Sequence, residues 1–374
     1  MSTISLEARA SCYHGGAFFS AVGDEFQSLE RRTSVINADV LDAWFDPAPA
    51  VIDAVRRHFA WSLRTSPPTH AEGLQRVVAH ARGVSPECVL PGAGSSALIY
   101  LTLREWLDPE SRVLVLDPMY GEYAHVLEQV IGCRVTRFAL EPNEGYALDL
   151  YAFARALKDA YDLVIIVNPN SPTGQHVQAA ALRTVLDAAP ESTRIWIDET
   201  YIDYIGAAES LEQWAGASRN AVVCKSMSKV YALSGARCAY LCGAVELIDA
   251  LRPLSPPWAV GLPAQIAACE ALRNERYYRG RWLATHRLRE TLARDLESLG
   301  WGVTPGCANF LLCRVPENGL NAAELIAACR AHDLFLRDVS TMSPRFDQRM
   351  LRIAVKDART NQRMLDIVRA STSE

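Results

Sequence analysis

The chain has 374 residues, 22% of them charged and 49% hydrophobic, with a formal net charge of −5. That length exceeds what one core usually holds, so a large domain with a smaller second one is expected. A mildly acidic chain without a basic block speaks against nucleic acid as the principal partner, and the longest apolar runs, such as Leu163–Val167, are far too short to cross a bilayer.

From Met1 to Phe19 the sequence is polar, carries an acidic residue and lacks a long apolar core, so it does not read as a secretory signal. With no spanning run either, a soluble cytoplasmic protein is expected. The apolar, aromatic stretch Tyr13-His14-Gly15-Gly16-Ala17-Phe18-Phe19 has a Gly-Gly hinge and is either a lid over a site or an ordinary packed arm. The ten cysteines include no Cys-x-x-Cys pair and sit mostly in apolar stretches such as Ala221–Cys224, which points to buried, reduced thiols. The eight histidines are scattered, none four residues from another, so no metal site is expected.

Through the middle of the chain short apolar runs alternate with amphipathic stretches. A helical pattern over Ala97–Leu107 is followed by a strand at Arg112–Leu116, a helix over Tyr123–Ile131 and strands at Arg134–Phe138 and Leu163–Val167. A helix over Ala179–Ala188 then precedes strands at Ile195–Asp198, Ala221–Cys224 and Cys238–Cys242. Buried strands alternating with helices read as α/β with a mostly parallel sheet, and such sheets bind ligands beyond the carboxyl ends of their strands. Leu254-Ser-Pro-Pro-Trp258 breaks the pattern, since consecutive prolines end regular structure. Helices over Ala264–Arg273 and Tyr277–Leu299 follow, then strands at Ala308–Arg314, Leu334–Arg337 and Met350–Val355 and a last helix over Ala358–Ala370. The expected division is a large three-layer α/β/α domain over 47–258 and a small α+β domain over 259–374.

Three motifs carry chemistry. The first is Lys225-Ser226-Met227-Ser228-Lys229, with Arg237 eight positions beyond Lys229. It follows a strand. Lys229 can form a Schiff base with an aldehyde cofactor, Ser226 and Ser228 can donate to a phosphate, and Arg237 can clamp that phosphate. The alternative is a polar loop with a solvated lysine. The second is Ile195-Trp196-Ile197-Asp198-Glu199-Thr200-Tyr201, an apolar strand ending in a carboxylate. Asp198 in a low-dielectric pocket keeps a pyridine nitrogen protonated, and Tyr201 is placed to reach the ring's phenolic oxygen. Here the alternative is a strand-end aspartate capping a turn. The third, Asn168-Pro169-Asn170-Ser171-Pro172-Thr173-Gly174, fixes a tight turn after a strand and by itself is no more than a turn.

In this order the three blocks resemble the fold-type I pyridoxal-phosphate enzymes of aminotransferase class I/II, most closely histidinol-phosphate aminotransferase and threonine-phosphate decarboxylase. The resemblance extends over nearly the whole chain. It covers a worn Asn-Glu-Asn-Pro segment from Ile36 to Ala54, the phosphate cup Gly92-Ala93-Gly94-Ser95-Ser96 that opens a helix, and Asp117-Pro118-Met119-Tyr120, whose tyrosine stacks on the cofactor ring. It implies pyridoxal 5′-phosphate as cofactor, and Ser95, Ser96, Tyr120, Asn170, Ser171, Asp198, Tyr201, Ser226, Ser228, Lys229 and Arg237 as its contacts. Arg352 falls on the arginine for the substrate α-carboxylate, Arg337 on one for the distal group, and Asn309, in the matching small-domain segment, is a further substrate contact. For each arginine the alternative is a surface salt bridge. The resemblance also implies that residues 1–46 form an arm packed with the small domain. It further implies a homodimer with shared active sites, residues near Arg64–Thr69 crossing over.

Departures mark the substrate side. Ser171 stands where the family has Asn, Ser96-Ala97 where it has Asp-Glu, and Thr65-Ser66-Pro67-Pro68 where it has Tyr-Pro-Asp, so the tyrosine sent to the partner subunit is missing. The expectation is an aminotransferase acting on a small amino acid and a keto acid, with a substrate other than histidinol phosphate. Lys229 would serve as general base, with Asp198 and Tyr201 tuning the ring. A decarboxylase, lyase or cyclase on the same scaffold is the alternative. A ligand-binding regulator on an inactive scaffold is a third reading, opposed by the intact Lys229, Asp198, Tyr201 and Arg237.

Overall fold

A computed structural model describes residues 15–372. Its centre is a sheet in the order β2-β8-β7-β6-β5-β3-β4, formed by β2 (Val89–Gly92), β3 (Arg112–Asp117), β4 (Arg134–Ala139), β5 (Leu163–Val167), β6 (Arg194–Asp198), β7 (Ala221–Ser226) and β8 (Ala239–Cys242). All neighbours are parallel except those of β8, which runs against both β2 and β7. Leu163–Val167 and Ile195–Asp198 are buried at every position, as strands covered on both faces must be.

The strand expected to be buried at Arg134–Phe138 is instead an edge strand. Only β3 pairs with it, and Arg134, Thr136 and Arg137 are exposed, so its charged residues face water as edges require. The opposite edge, β2, was not expected from the sequence. Its Pro91 argues against a central strand but is compatible with an edge. The helix expected over Tyr123–Ile131 is a short α-turn at Gly121–Ala124 running into a π-helix at His125–Ile131.

A second sheet has the order β12-β13-β10-β9, from β9 (Gly302–Thr304), β10 (Phe310–Arg314), β12 (Arg337–Asp338) and β13 (Met350–Ala354). The segment before the first long helix is tied to it. Strand β1 (Ile36–Asn37) pairs in parallel with β11 (Leu334–Phe335), the Ala354 amide donates to the Ala38 carbonyl, and the Asn309 amide donates to the Leu41 carbonyl at 2.9 Å. Helix Leu262–Arg273 packs on helices Pro49–Arg64 and Glu72–Arg82. Of the described cysteines, Cys88, Cys224, Cys238, Cys242, Cys313 and Cys329 are buried, whereas Cys133, Cys269 and Cys307 are partly exposed, against the expectation of buried thiols; all of these are free. Cys12 lies outside the described residues. Among the described residues no helix is long and apolar enough to cross a membrane.

Behind the carboxyl ends of β6 and β7 lies a buried ionic network. Lys225 Nζ stands 3.3 Å from Asp203 and 3.6 Å from both Glu199 and Glu212, and Arg82 lies 3.0 Å from Asp203 and 3.5 Å from Glu212. Three carboxylates face two cations. Burial, with Glu212 nearby and only partly offset by Lys225, pushes the Glu199 carboxyl up to about 7 from an ordinary 4.5. Between those values the folded chain holds a proton that the unfolded chain has released, so stability falls as pH rises through the window and the penalty is complete above about 7. Glu199→Gln removes this titration. Urea unfolding of the two proteins should show the variant gaining on the native chain as pH rises; a difference that stays flat would contradict this account.

Candidate active site

The carboxyl ends of the parallel strands and the start of β8 meet at one edge of the sheet, and a cavity of about 670 Å³ opens there. Ser95, Ser96, Tyr120, Ser171, Asp198, Tyr201, Ser226, Ser228, Lys229, Arg237, Arg337 and Arg352 all line it, bringing together residues spread over more than two thirds of the sequence. Arg237 arrives because β8 runs antiparallel, so the residues preceding it lie at the edge where the other strands end.

The phosphate end is built around a glycine. Gly94 (φ +93) caps the helix Ser95–Trp106, whose first amides have no intrahelical acceptor. A Cβ at Gly94 would stand 2.9 Å from Arg237 Cζ and collide with the guanidinium. Arg237 in turn reaches Ser228 Oγ at 3.4 Å. Backbone amides, serine hydroxyls and a guanidinium around a cradle that a side chain would fill suit a phosphate. Gly94→Ala should therefore weaken uptake of pyridoxal phosphate by about tenfold or more, read by fluorescence titration; unchanged affinity would mean that Arg237 does not need this close approach.

At the opposite wall Asp198 is 3% exposed. Its Oδ2 accepts from the Tyr123 hydroxyl at 2.7 Å, its Oδ1 accepts from the Thr200 amide at 2.9 Å, and Trp196 Nε1 donates to the Tyr123 oxygen at 2.7 Å. Burial pushes the Asp198 carboxyl above the usual range, and the bonds from Thr200 and Tyr123 pull against it. A protonated ring nitrogen is the counter-ion that such a group lacks. Tyr123 was not singled out in the sequence; only its place in Tyr120-Gly-Glu-Tyr123 hinted at it.

Burial also pulls the Lys229 ammonium below its ordinary range. Asp42 opposes this, while Arg352 and Arg237 reinforce it. The Asp42 carboxylate lies 3.1 Å from Lys229 Nζ, and Lys356, pushed down to about 8 chiefly by burial, donates to the Asp42 carbonyl at 3.3 Å. Neither Asp42 nor Lys356 was legible as a site residue, although Asp42 falls in the worn Asn-Glu-Asn-Pro segment. Tyr201 packs edge-on against Phe310 at 5.2 Å, and burial raises its phenol despite nearby Arg352.

Ser171 Oγ accepts from Arg352 Nη1 at 3.1 Å, which joins the arginine to the turn after β5. Arg352 is 6% exposed and its Nε has no partner among the described residues. Arg337 is also buried, and Asp39 lies 3.0 Å from its Nε; a surface salt bridge is excluded for both arginines. Ser96 and Tyr120 both donate to Glu122 Oε2, at 3.0 and 2.8 Å.

Two expected contacts are not among the cavity's lining residues. Asn170 spends its amide on the Pro118 carbonyl at 3.0 Å and on Thr173 Oγ1 at 2.9 Å, which fixes the turn that presents Ser171. Asn309 is fully buried and holds the Leu41 carbonyl, which anchors the segment carrying Asp39 and Asp42. Of the suspected lid, Tyr13 and His14 lie outside the described residues, while Gly15 packs against Asp39 and Arg337.

Residues 35–370 match the family model of the class I and II aminotransferases. The chain is 31% identical over 332 residues to a histidinol-phosphate aminotransferase 2 of Gluconobacter oxydans (strain 621H), covering 86% of this chain and 88% of that one. Among solved structures it resembles histidinol-phosphate aminotransferase from Sinorhizobium meliloti in complex with pyridoxal-5′-phosphate, with a TM-score of 0.79, 19% identity and coverage of 96% and 99% of the two chains. It also resembles L-threonine-O-3-phosphate decarboxylase from Porphyromonas gingivalis, with a TM-score of 0.77, 21% identity and coverage of 90% and 99%. At those identities the structural likeness establishes the fold.

Proposed function

The chain belongs to the class I and II aminotransferases, with pyridoxal 5′-phosphate as cofactor, and we propose that it transfers an amino group between a small amino acid and a keto acid, its donor being other than histidinol phosphate. The observation that carries this reading is the convergence of Lys229, Asp198, the Gly94–Arg237 cradle and Arg352 on one cavity.

When bound, the cofactor supplies an electron-withdrawing ring that stabilises negative charge at the substrate α-carbon. Asp198, held by Tyr123 and Thr200, keeps the ring nitrogen protonated. Arg352 receives the α-carboxylate, and its unpartnered Nε is a donor available for it. Lys229, whose ammonium burial pulls below its ordinary range, takes the α-proton and returns it. Tyr201 adjusts the ring oxygen.

The domain division at 47–258 and 259–374, with residues 1–46 as an arm on the smaller part, belongs to the same proposal, as do a cytoplasmic location and a homodimer with shared sites. The dimer is supported by the exposed apolar Phe59, Trp61 and Leu63 at the end of one helix, close in sequence to Arg64–Thr69, and by Trp258, whose amide donates to Thr69. Light scattering that returns the mass of one chain would refute it.

The test of function is the visible spectrum of the cofactor-loaded protein before and after addition of amino acids and amino-acid phosphates, with assays for keto acid and for CO2. Conversion of the cofactor to its aminated form with release of a keto acid is expected. Release of CO2 in its place would move the assignment to a decarboxylase, and fastest turnover of histidinol phosphate would overturn the substrate proposal.

A further inference from the structure

Arg337 and Arg352 stand opposite each other on neighbouring antiparallel strands β12 and β13, and both are buried. Two like charges in register on one sheet face repel, all the more without water. Asp39 resolves the conflict. Its carboxylate lies 3.0 Å from Arg337 Nε, and its backbone carbonyl accepts from Arg352 Nη2 at 3.3 Å. The Asp39 side chain is 1% exposed and that of Arg337 9%.

Gly15 closes the pair from another direction. Its backbone (φ +85) lies so near that a Cβ there would stand 2.7 Å from Asp39 Oδ2 and 3.1 Å from Arg337 Nη2. The arm preceding the first strand therefore rests directly on the ion pair, and any side chain at position 15 would push it aside.

The formal charges then decide what the pocket takes. Among the described residues, the two guanidinium groups and the Asp39 carboxylate sum to a single net positive charge at this end, which one substrate carboxylate balances. Farther along the cavity the charged lining residues are Glu122, Glu128, Asp338 and Arg137. Arg137 is already paired with Glu128 and lies 3.8 Å from Asp117, so that wall presents more negative charge than positive.

We propose that Asp39 neutralises Arg337, so that the site takes an amino acid with one carboxylate and a side chain free of negative charge. This rests on the aminotransferase reading of the cavity. It reverses the expectation, drawn from family resemblance, that Arg337 receives an anionic distal group.

The test compares glutarate with its isosteric monoamide, 4-carbamoylbutanoate, by calorimetry on cofactor-loaded protein. Uptake of pyridoxal phosphate is verified first by absorbance, so failure at that stage counts against the aminotransferase reading and is seen separately. The native protein should bind the monoamide at least as tightly as glutarate. Asp39→Asn releases Arg337 and should shift the ratio toward glutarate by about tenfold. The double variant Asp39→Asn/Arg337→Gln removes both charges, keeps the pair neutral and should restore the native ratio; it decides the matter even where the single variant fails to fold. Native protein that prefers glutarate or binds neither compound overturns the proposal, as does a double variant that selectively loses glutarate.

Discussion

Lys229→Ala should lower turnover by about 10⁴-fold or more while leaving pyridoxal phosphate bound. The two halves of this result have separate causes in the structure. Among the described residues Lys229 is the only lysine lining the cavity, and burial pulls its ammonium below the ordinary range, which eases its service as a base. Asp42 faces the same point but makes a poor substitute. A carboxylate is ordinarily a far weaker base than an amine. Binding, by contrast, is expected to come mainly from the Gly94–Arg237 cradle and the serines, which the substitution leaves intact. Borohydride treatment should fix the cofactor to the Lys229 peptide of the native protein, as mapped by mass spectrometry, and to no peptide of the variant. A variant with near-native turnover would end the assignment of Lys229.

Asp198→Asn should lower kcat/KM by about 10²- to 10³-fold, a loss typical when a preorganised electrostatic partner is removed from a dry site. The substitution keeps the shape of the side chain and its place at the end of β6. What it removes is the negative charge proposed to hold a proton on the ring nitrogen. Tyr123→Phe removes one of the two hydrogen bonds that orient the carboxylate and should cost about tenfold. Steady-state kinetics with whichever donor drives the spectral change would rank the two. An Asp198→Asn protein within about threefold of native activity would mean that the ring needs no charged partner here.

The strand ends that carry chemistry were legible because they are local. Leu163–Val167 and Ile195–Asp198 are apolar runs that stop at a turn or a carboxylate, and the serines flanking Lys229 and the glycine before Ser95 lie within a few residues of the groups they serve. Short-range pattern encodes such features directly.

What lies across the fold was not legible. The bonds Asp42 to Lys229, Tyr123 to Asp198 and Arg352 to Ser171 join residues 187, 75 and 181 positions apart, and no spacing rule relates them. The sequence also marked Asn170 and Asn309 as ligand contacts; in the structure their Nδ2 groups donate to the Pro118 and Leu41 carbonyls, and neither residue is among those lining the cavity.

Arg337 gives the sharpest contrast. Its position in the chain suggests a receptor for an anion, yet its guanidinium is paired with Asp39, 298 residues earlier, and Gly15 lies close against that pair. Local pattern was thus enough for the central sheet apart from β2, and together with the family resemblance for the cofactor and twelve of the residues that line the cavity. Which charges stay available to a substrate emerged from the packing of distant segments, because a buried charge takes its meaning from the partners set beside it.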